Sequence, residues 1–241
     1  MQLTPQAAWE ALAAFLRDGV QRLMQQLLEE EVSEKLAQQR AACRSEAPHA
    51  VGCRSGHGRP RRLRTLAGDL SIRRPRLRGV AAGFHSDVLP SFIVRFKEAG
   101  RPQMEQYLAG LASGDFDRAL AGLLGGPPQL SESATARVRR AWLREQQIWR
   151  SSPLGALQPR FVWIDRVGVA VGGRPGADPP RLLVAIAWLQ EEASRVLALE
   201  PCSESPSSVL SRLRERGLPA ARLVVGGGDL VPPPRSRVAR T

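Results

Sequence analysis

The chain has 241 residues, 43% of them hydrophobic, with a formal charge of +12 and a pI near 11.3. That is apolar material for one large domain or two small ones, and no apolar run is long enough to span a bilayer. Three sparse cysteines, Cys43, Cys53 and Cys202, make no disulfide framework and suit a reducing compartment, and the N-terminus carries no signal-peptide pattern, so a cytoplasmic protein with no membrane partner is expected. A surface this basic points to a polyanion, with nucleic acid as the default partner. Every basic residue except Lys35 and Lys97 is arginine, which grips phosphate in a bidentate way that lysine does not.

Thr4-Pro5 reads as a helix cap followed by proline in the first turn. Leu12, Phe15, Leu16, Val20, Leu23 and Leu27 then recur at helical spacing, and the helix is expected to run through "LLEEEVSEKLAQQR" to about Arg40. Its apolar stripe is either core or a surface for a partner helix. From Cys43 to Gly58 the period fails and a loop is predicted. Cys43, Cys53 and His57 hint at zinc, but there is no Cys-x-x-Cys and no second pair, so no metal knuckle is expected.

"LRTLAGDLSIRRPR" alternates around Gly68-Asp69, which predicts a hairpin turn there. From Arg54 to Arg78 nine arginines face one acid, Asp69. A charge run is often a solvated face. On a short two-stranded ribbon that buries little, a phosphate-binding arm is the stronger reading, carried by Arg54, Arg59, Arg61, Arg62, Arg64, Arg73, Arg74 and Arg76.

Helical pattern returns over 95–150. "QMEQYLAGLASGDFDRALAGLL" predicts two short helices around Ser113-Gly114, and "GGPPQL" a turn. Ser131 caps a further helix with Val138, Ala141, Trp142, Ile148 and Trp149 on one face and Arg137, Arg139, Arg140 and Arg144 on the others. Helix, turn, basic helix is either a helix-turn-helix, whose second helix enters the major groove, or an ordinary helical hairpin.

After "RSSPLGALQP" the period becomes strand-like. "RFVWIDRVGVAVG", "RLLVAIAWLQ" and "ASRVLALEP" read as strands, "SPSSVLSRLRERG" as a helix ending at Gly217, and "ARLVVGG" as a fourth strand. The order β-β-β-α-β suits three antiparallel strands and a crossover helix, with the first strand central and Asp165 mid-sheet. Asp165 at the end of an apolar strand is either an acid capping a turn or one ligand of a metal site for phosphodiester chemistry, which needs further carboxylates around hard cations. Cys202 reads as structural, and the three histidines receive no role.

Several stretches carry a resemblance. "LLEEEVSEKL" (27–36), "GHGRPRRLRTLAGDLSIRRPRLRG" (56–79), "FHSDVLPSF" (84–92), "YLAGLASGDFDRALAGLLG" (107–125), "LSESATARVRRAW" (130–142), "FVWIDRVGVAV" (161–171) and "LRERGLPAARLVVGGGDL" (213–230) resemble the mutator-type transposases of bacterial insertion sequences, in order and spacing through nearly the whole chain. The resemblance implies a ribonuclease-H-like core with three acids that bind two Mg²⁺ ions for DNA cleavage and strand transfer. Asp165 fills the first acid's slot, though Arg166 stands where glycine is usual and Gly168 where an aromatic is common. The second slot, in a Val-Val-Gly-Asp-Gly pattern, holds Gly227; Asp229, two residues on, is a weak substitute, since the pattern aligns it with a non-catalytic position. The third acid lies beyond Thr241.

The resulting expectation is an α+β protein: an N-terminal helical region (1–42), an arginine-rich loop and β-hairpin (43–94), a helix-turn-helix-like DNA-binding region (95–150), a partial ribonuclease-H-like catalytic domain (160–230) and an aberrant, disordered tail (231–241). The abrupt loss of pattern near Leu230 suggests a frameshift and a C-terminally truncated, catalytically inactive copy. Its expected partners are the terminal inverted repeats of an insertion sequence and further copies of the chain or of a full-length transposase. The alternatives are a non-enzymatic DNA-binding remnant that competes with or regulates a full-length transposase, and a decayed gene product without function.

Overall fold

The computed structural model describes residues 5–45, 52–65, 68–79, 84–89, 93, 101–126, 128, 130–168, 181–189, 193–221 and 223–226. They divide into two compact units, residues 13–146 and residues 1–12 with 147–241.

The spine of the first unit is α1 (Pro5–Ser45) from Ala13 onward; the whole helix has 41 residues and is therefore about 60 Å long. It begins on the proline read from the sequence and runs some five residues past Arg40. Leu16, Val20, Leu23, Met24, Leu27, Leu28, Val32 and Leu36 are buried, so the stripe is core. Phe15, expected in it, is only half-buried.

Four short strands follow: β1 (Cys53–His57), β2 (Arg61–Thr65), β3 (Gly68–Ile72) and β4 (Pro75–Arg78). β2 pairs with β3 and β1 with β4, both antiparallel, giving two ribbons. Three expectations change here. Residues 53–57 are strand, because their partner lies some twenty residues later and no local period announces it. The last pair of the ribbon is Thr65–Gly68, so Gly68-Asp69 belongs to β3 and is not the turn; residues 66–67 lie outside the described residues. The β2–β3 ribbon is also docked: Leu70 and Ile72 are buried, and α1 holds its backbone. Gln21 Oε1 accepts from the Ser71 amide at 2.9 Å, while Gln25 accepts from the Arg73 amide at 3.1 Å and donates to its carbonyl at 3.0 Å. Gln25 thus does for Arg73 what a neighbouring strand would do.

The unit continues with α2 (Arg101–Ser113), α3 (Phe116–Leu124) and α4 (Glu132–Ser151). Gly114 takes a left-handed φ of 74°, and Asp115 caps α3 by accepting from the Arg118 amide at 3.2 Å. Gly125 ends α3 with φ 64°, its amide bonded to the Ala121 carbonyl. Ser131 caps α4 through the Ala134 amide at 3.3 Å, as its position predicts. The buried line of α4 is Ala134, Val138, Trp142 and Gln146. Ile148, expected on that face, is 62% exposed. It lies six residues beyond Trp142, about 240° around the helix.

In the second unit, β5 (Pro159–Gly168), β6 (Arg181–Leu189) and β7 (Ser194–Pro201) form an antiparallel meander. α5 (Pro206–Glu215) then crosses to β8 (Leu223–Gly226), which lies parallel to β5. The sheet order is β7-β6-β5-β8, so the first strand is central. Val162 and Ile164 join Leu183, Ala185 and Ala187 in a core cluster with Val209, Leu210 and Leu213 of α5. β6 is buried without a break from Leu182 to Trp188, so both its faces are covered. Ser205 caps α5 through the Ser208 amide at 3.1 Å, and Gly217, φ 85°, follows its end.

Candidate nucleic-acid interface and the Asp165 position

The twelve arginines proposed as DNA contacts fall into two groups. Some are already engaged. Arg54 donates to Glu29 Oε2 at 2.7 Å, to the Glu29 carbonyl at 2.9 Å and to Ser33 Oγ at 2.8 Å. Arg137 pairs with Glu30 at 2.9 Å. Arg139 pairs with Asp117 at 2.6 Å and lies 5.7 Å over the Phe116 ring, which itself meets Trp142 edge-on. Arg74 donates to the Phe84 carbonyl and lies 5.7 Å over its ring. Others are exposed: Arg59, Arg61, Arg62, Arg73 and Arg76 on or beside the ribbons, and Arg140 and Arg144 on α4. Of Arg64 only the backbone is described, opposite Asp69 in the β2–β3 register.

The acids that hold these arginines were not singled out in the sequence, although two of them, Glu29 and Glu30, lie in its "EEE" run; the third is Asp117. Glu29 takes Arg54 and, at 2.6 Å, His57 Nε2. Burial alone would raise its pKa, but hydrogen bonds from His57 and Gln25 and the charges of Arg54 and His57 outweigh that and hold it below the ordinary value. Glu30 takes Arg137. Glu31, 2% exposed, accepts from Ser86 Oγ at 2.6 Å and from the Asp87 amide. Glu34 accepts from the Ser131 amide at 3.2 Å. One and a half turns of α1 therefore anchor β1, the segment at 86–87 and the start of α4. The available signal was the i, i+1, i+2, i+5 acid spacing, which spreads carboxylates around a helix.

The short turn of the helical region lies between α2 and α3, at Gly114-Asp115. The basic helix α4 comes after a longer connection, 125–131.

Asp165 sits in β5, one residue beyond the Ile164–Gly226 pair with β8 and opposite Val184 of β6. Ile164 faces the α5 core, so alternation turns Asp165 to the opposite face. It is half-buried, and its Oδ1 accepts from the Arg166 amide at 2.7 Å. β5 continues three residues past it, so it neither ends the strand nor caps a turn there. Gly227 and Asp229 lie outside the described residues, as does the 231–241 tail. Among the described residues no three His, Cys, Asp or Glu side chains gather closely enough to hold an ion. Mg²⁺ takes several oxygen ligands, and Asp165 offers one carboxylate already bonded to a neighbouring amide. The described residues thus do not fit a two-ion site. Cys53 is exposed and His57 is committed to Glu29.

A family profile described as Transposase, Mutator family, matches residues 2–229. The chain belongs to that family. No curated protein matches it. No described helix is long and apolar enough to cross a membrane.

Proposed function

We propose that this chain binds DNA as a member of a transposition system, through the exposed arginines of the ribbons and of α4. The intended DNA is the terminal inverted repeat of an insertion sequence. The second unit is read as part of a ribonuclease-H-like core. What supports this is the sheet order β7-β6-β5-β8 with a helical crossover, which puts Asp165 on the central strand beside the parallel strand β8. That placement carries the reading. α3 and α4 are proposed as the helix-turn-helix-like element, with α4 presenting Arg140 and Arg144 to a groove.

Family members that cleave and join DNA place three acids around divalent ions. Here Asp165 fills the first slot and glycine occupies the second. We therefore read the chain by itself as a DNA-binding protein that does not cleave, and as a competitor or mixed-oligomer partner of a full-length transposase. The test is incubation with terminal-repeat duplex and Mg²⁺ or Mn²⁺, scored for binding and for nicks. Retained binding without cleavage is expected. Cleavage that disappears in Asp165→Asn would overturn the inactive reading and make Asp165 a working ligand. Loss of all binding would remove the DNA reading itself.

A further inference from the structure

An open cleft of about 660 Å³ lies along β4 and the start of β2. Arg59, Arg61, Arg74 and Arg76 line it, together with Phe84, and no acid is among its described lining residues. Among these residues the Gly58 amide donates to the Arg74 carbonyl at 2.8 Å, one step beyond the His57–Pro75 pair of the β1–β4 ribbon.

The composition of this cleft differs from the other arginine positions. Arg54, Arg137 and Arg139 each meet a carboxylate within 3 Å. A guanidinium neutralised in this way gives little to an incoming phosphate, because the anion must first displace its carboxylate partner. In the cleft, Arg74 is oriented by a carbonyl and an aromatic ring, neither of which cancels its charge. Arg59, Arg61 and Arg76 are exposed beside it. Four like charges converging on one concavity repel one another and concentrate a positive potential there. An anion relieves both effects. The planar guanidinium fork matches phosphate oxygens bidentately.

We infer that this cleft is the principal phosphodiester grip of the protein: it takes the backbone of one nucleic-acid strand, while the arginines paired to Glu29, Glu30 and Asp117 hold the fold together. The inference rests on the DNA reading above and singles out four of the twelve candidate arginines as its main contact. A phosphodiester backbone is common to single-stranded and duplex DNA. Duplex supplies a second strand that the ribbons must clear, whereas a single strand can enter the cleft alone with a base beside Phe84.

The test uses the full chain and a triple variant, Arg59→Ala/Arg61→Ala/Arg76→Ala. A charge-matched control, Arg160→Ala/Arg181→Ala/Arg214→Ala, removes three exposed arginines of the other unit. Binding is measured for a random 20-mer duplex, the same 20-mer single-stranded, and inorganic pyrophosphate, each across a salt series. For the cleft variant, the slope of log K against log salt should fall by two to three for duplex or about two for single strand, with affinity down at least tenfold at low salt. The control should keep most of its slope. Preference of the wild type for one DNA form identifies the strand state the cleft accepts. A cleft variant matching the wild type on every probe overturns the inference, even where the wild type binds DNA well. Pyrophosphate binding lost in the variant, in a wild type that binds neither DNA, keeps the anion cleft and defeats the DNA reading instead. Unchanged thermal melting of the variant shows that a loss is not unfolding.

Discussion

Glu29 illustrates how one residue can be worth more for its position than for its type. It joins two groups of β1 to α1, the Arg54 guanidinium and the His57 ring, and Arg54 also donates to Ser33 of α1. Its pKa lies below the ordinary 4.5 in the folded chain. A depressed carboxylate pKa adds stability that is present above the unfolded value and disappears as pH falls through the folded one. Glu29→Gln should therefore cost on the order of 1 kcal/mol at pH 7, a modest figure because the pair is partly solvated. The gap between wild type and variant should close as pH drops below 4.5. Denaturant titrations at neutral pH and in this acid range would check both statements. Gly110 is a second such residue. A Cβ there would stand 2.6 Å from the Cα and Cβ of Ala119. Alanine gains about 1 kcal/mol of helix propensity over glycine, but a clash with backbone of the facing helix cannot be relieved by a rotamer change and costs about 1–3 kcal/mol. Gly110→Ala should lower the melting temperature, and an unchanged or higher one would show that α2 and α3 can separate freely.

At the scale of elements, Arg216 is the clearest fastener. Just past α5, it donates to the carbonyls of Trp149, Ser152 and Leu197 and to Ser152 Oγ, at 2.9–3.2 Å. It adds donors to carbonyls at and just past the end of α4, where the helix's own i to i+4 donors run out. Arg216→Ala should destabilise the second unit by about 2–3 kcal/mol, because several acceptors lose their donor together. Arg216→Lys should recover only part of this, since one ammonium cannot span the same fork. Elements whose chemistry is local are legible in the sequence alone. Ser131, Gly114 and Gly217 mark helix boundaries by chemistry that acts within four residues. β1 is not legible there, because "CRSGH" has no period of its own and becomes a strand only against Pro75–Arg78. The reach of α1 past Arg40 escapes the sequence pattern for a related reason: alanine and arginine extend a helix without an apolar stripe.

For the whole molecule, the count of 35 basic side chains overstates what a partner meets, because the helix spine answers some arginines internally. Exposed Arg140 and Arg144 should each contribute about one unit of salt slope to DNA binding, so Arg140→Ala/Arg144→Ala should weaken binding about equally across sequences if α4 only tracks phosphates. A sequence-dependent loss of about 1–3 kcal/mol per residue would instead mean that α4 reads bases. A duplex panel with and without the terminal repeat separates the two. The arginine content of the candidate interface was legible from composition; its partition, among the described residues, between carboxylate-bound and unpaired exposed side chains was not. That partition depends on which face of α1 meets the ribbons. The central position of Asp165 was legible, because the alternation of three strand periods and one helical period admits few topologies.

The strand order has a consequence for how the chain is made. β5 is synthesised first but lies between β6 and β8. Its parallel neighbour emerges roughly 55 residues after it is complete, several seconds at ordinary translation rates. During that interval the meander β5-β6-β7 can close, while one edge of the strand bearing Asp165 has none of its native partner. An unpaired edge is a template for other chains. Nascent copies translated side by side on one message would thus meet at the edge that β8 later covers, and a ribosome stalled before residue 223 would leave the protein in its most aggregation-prone form.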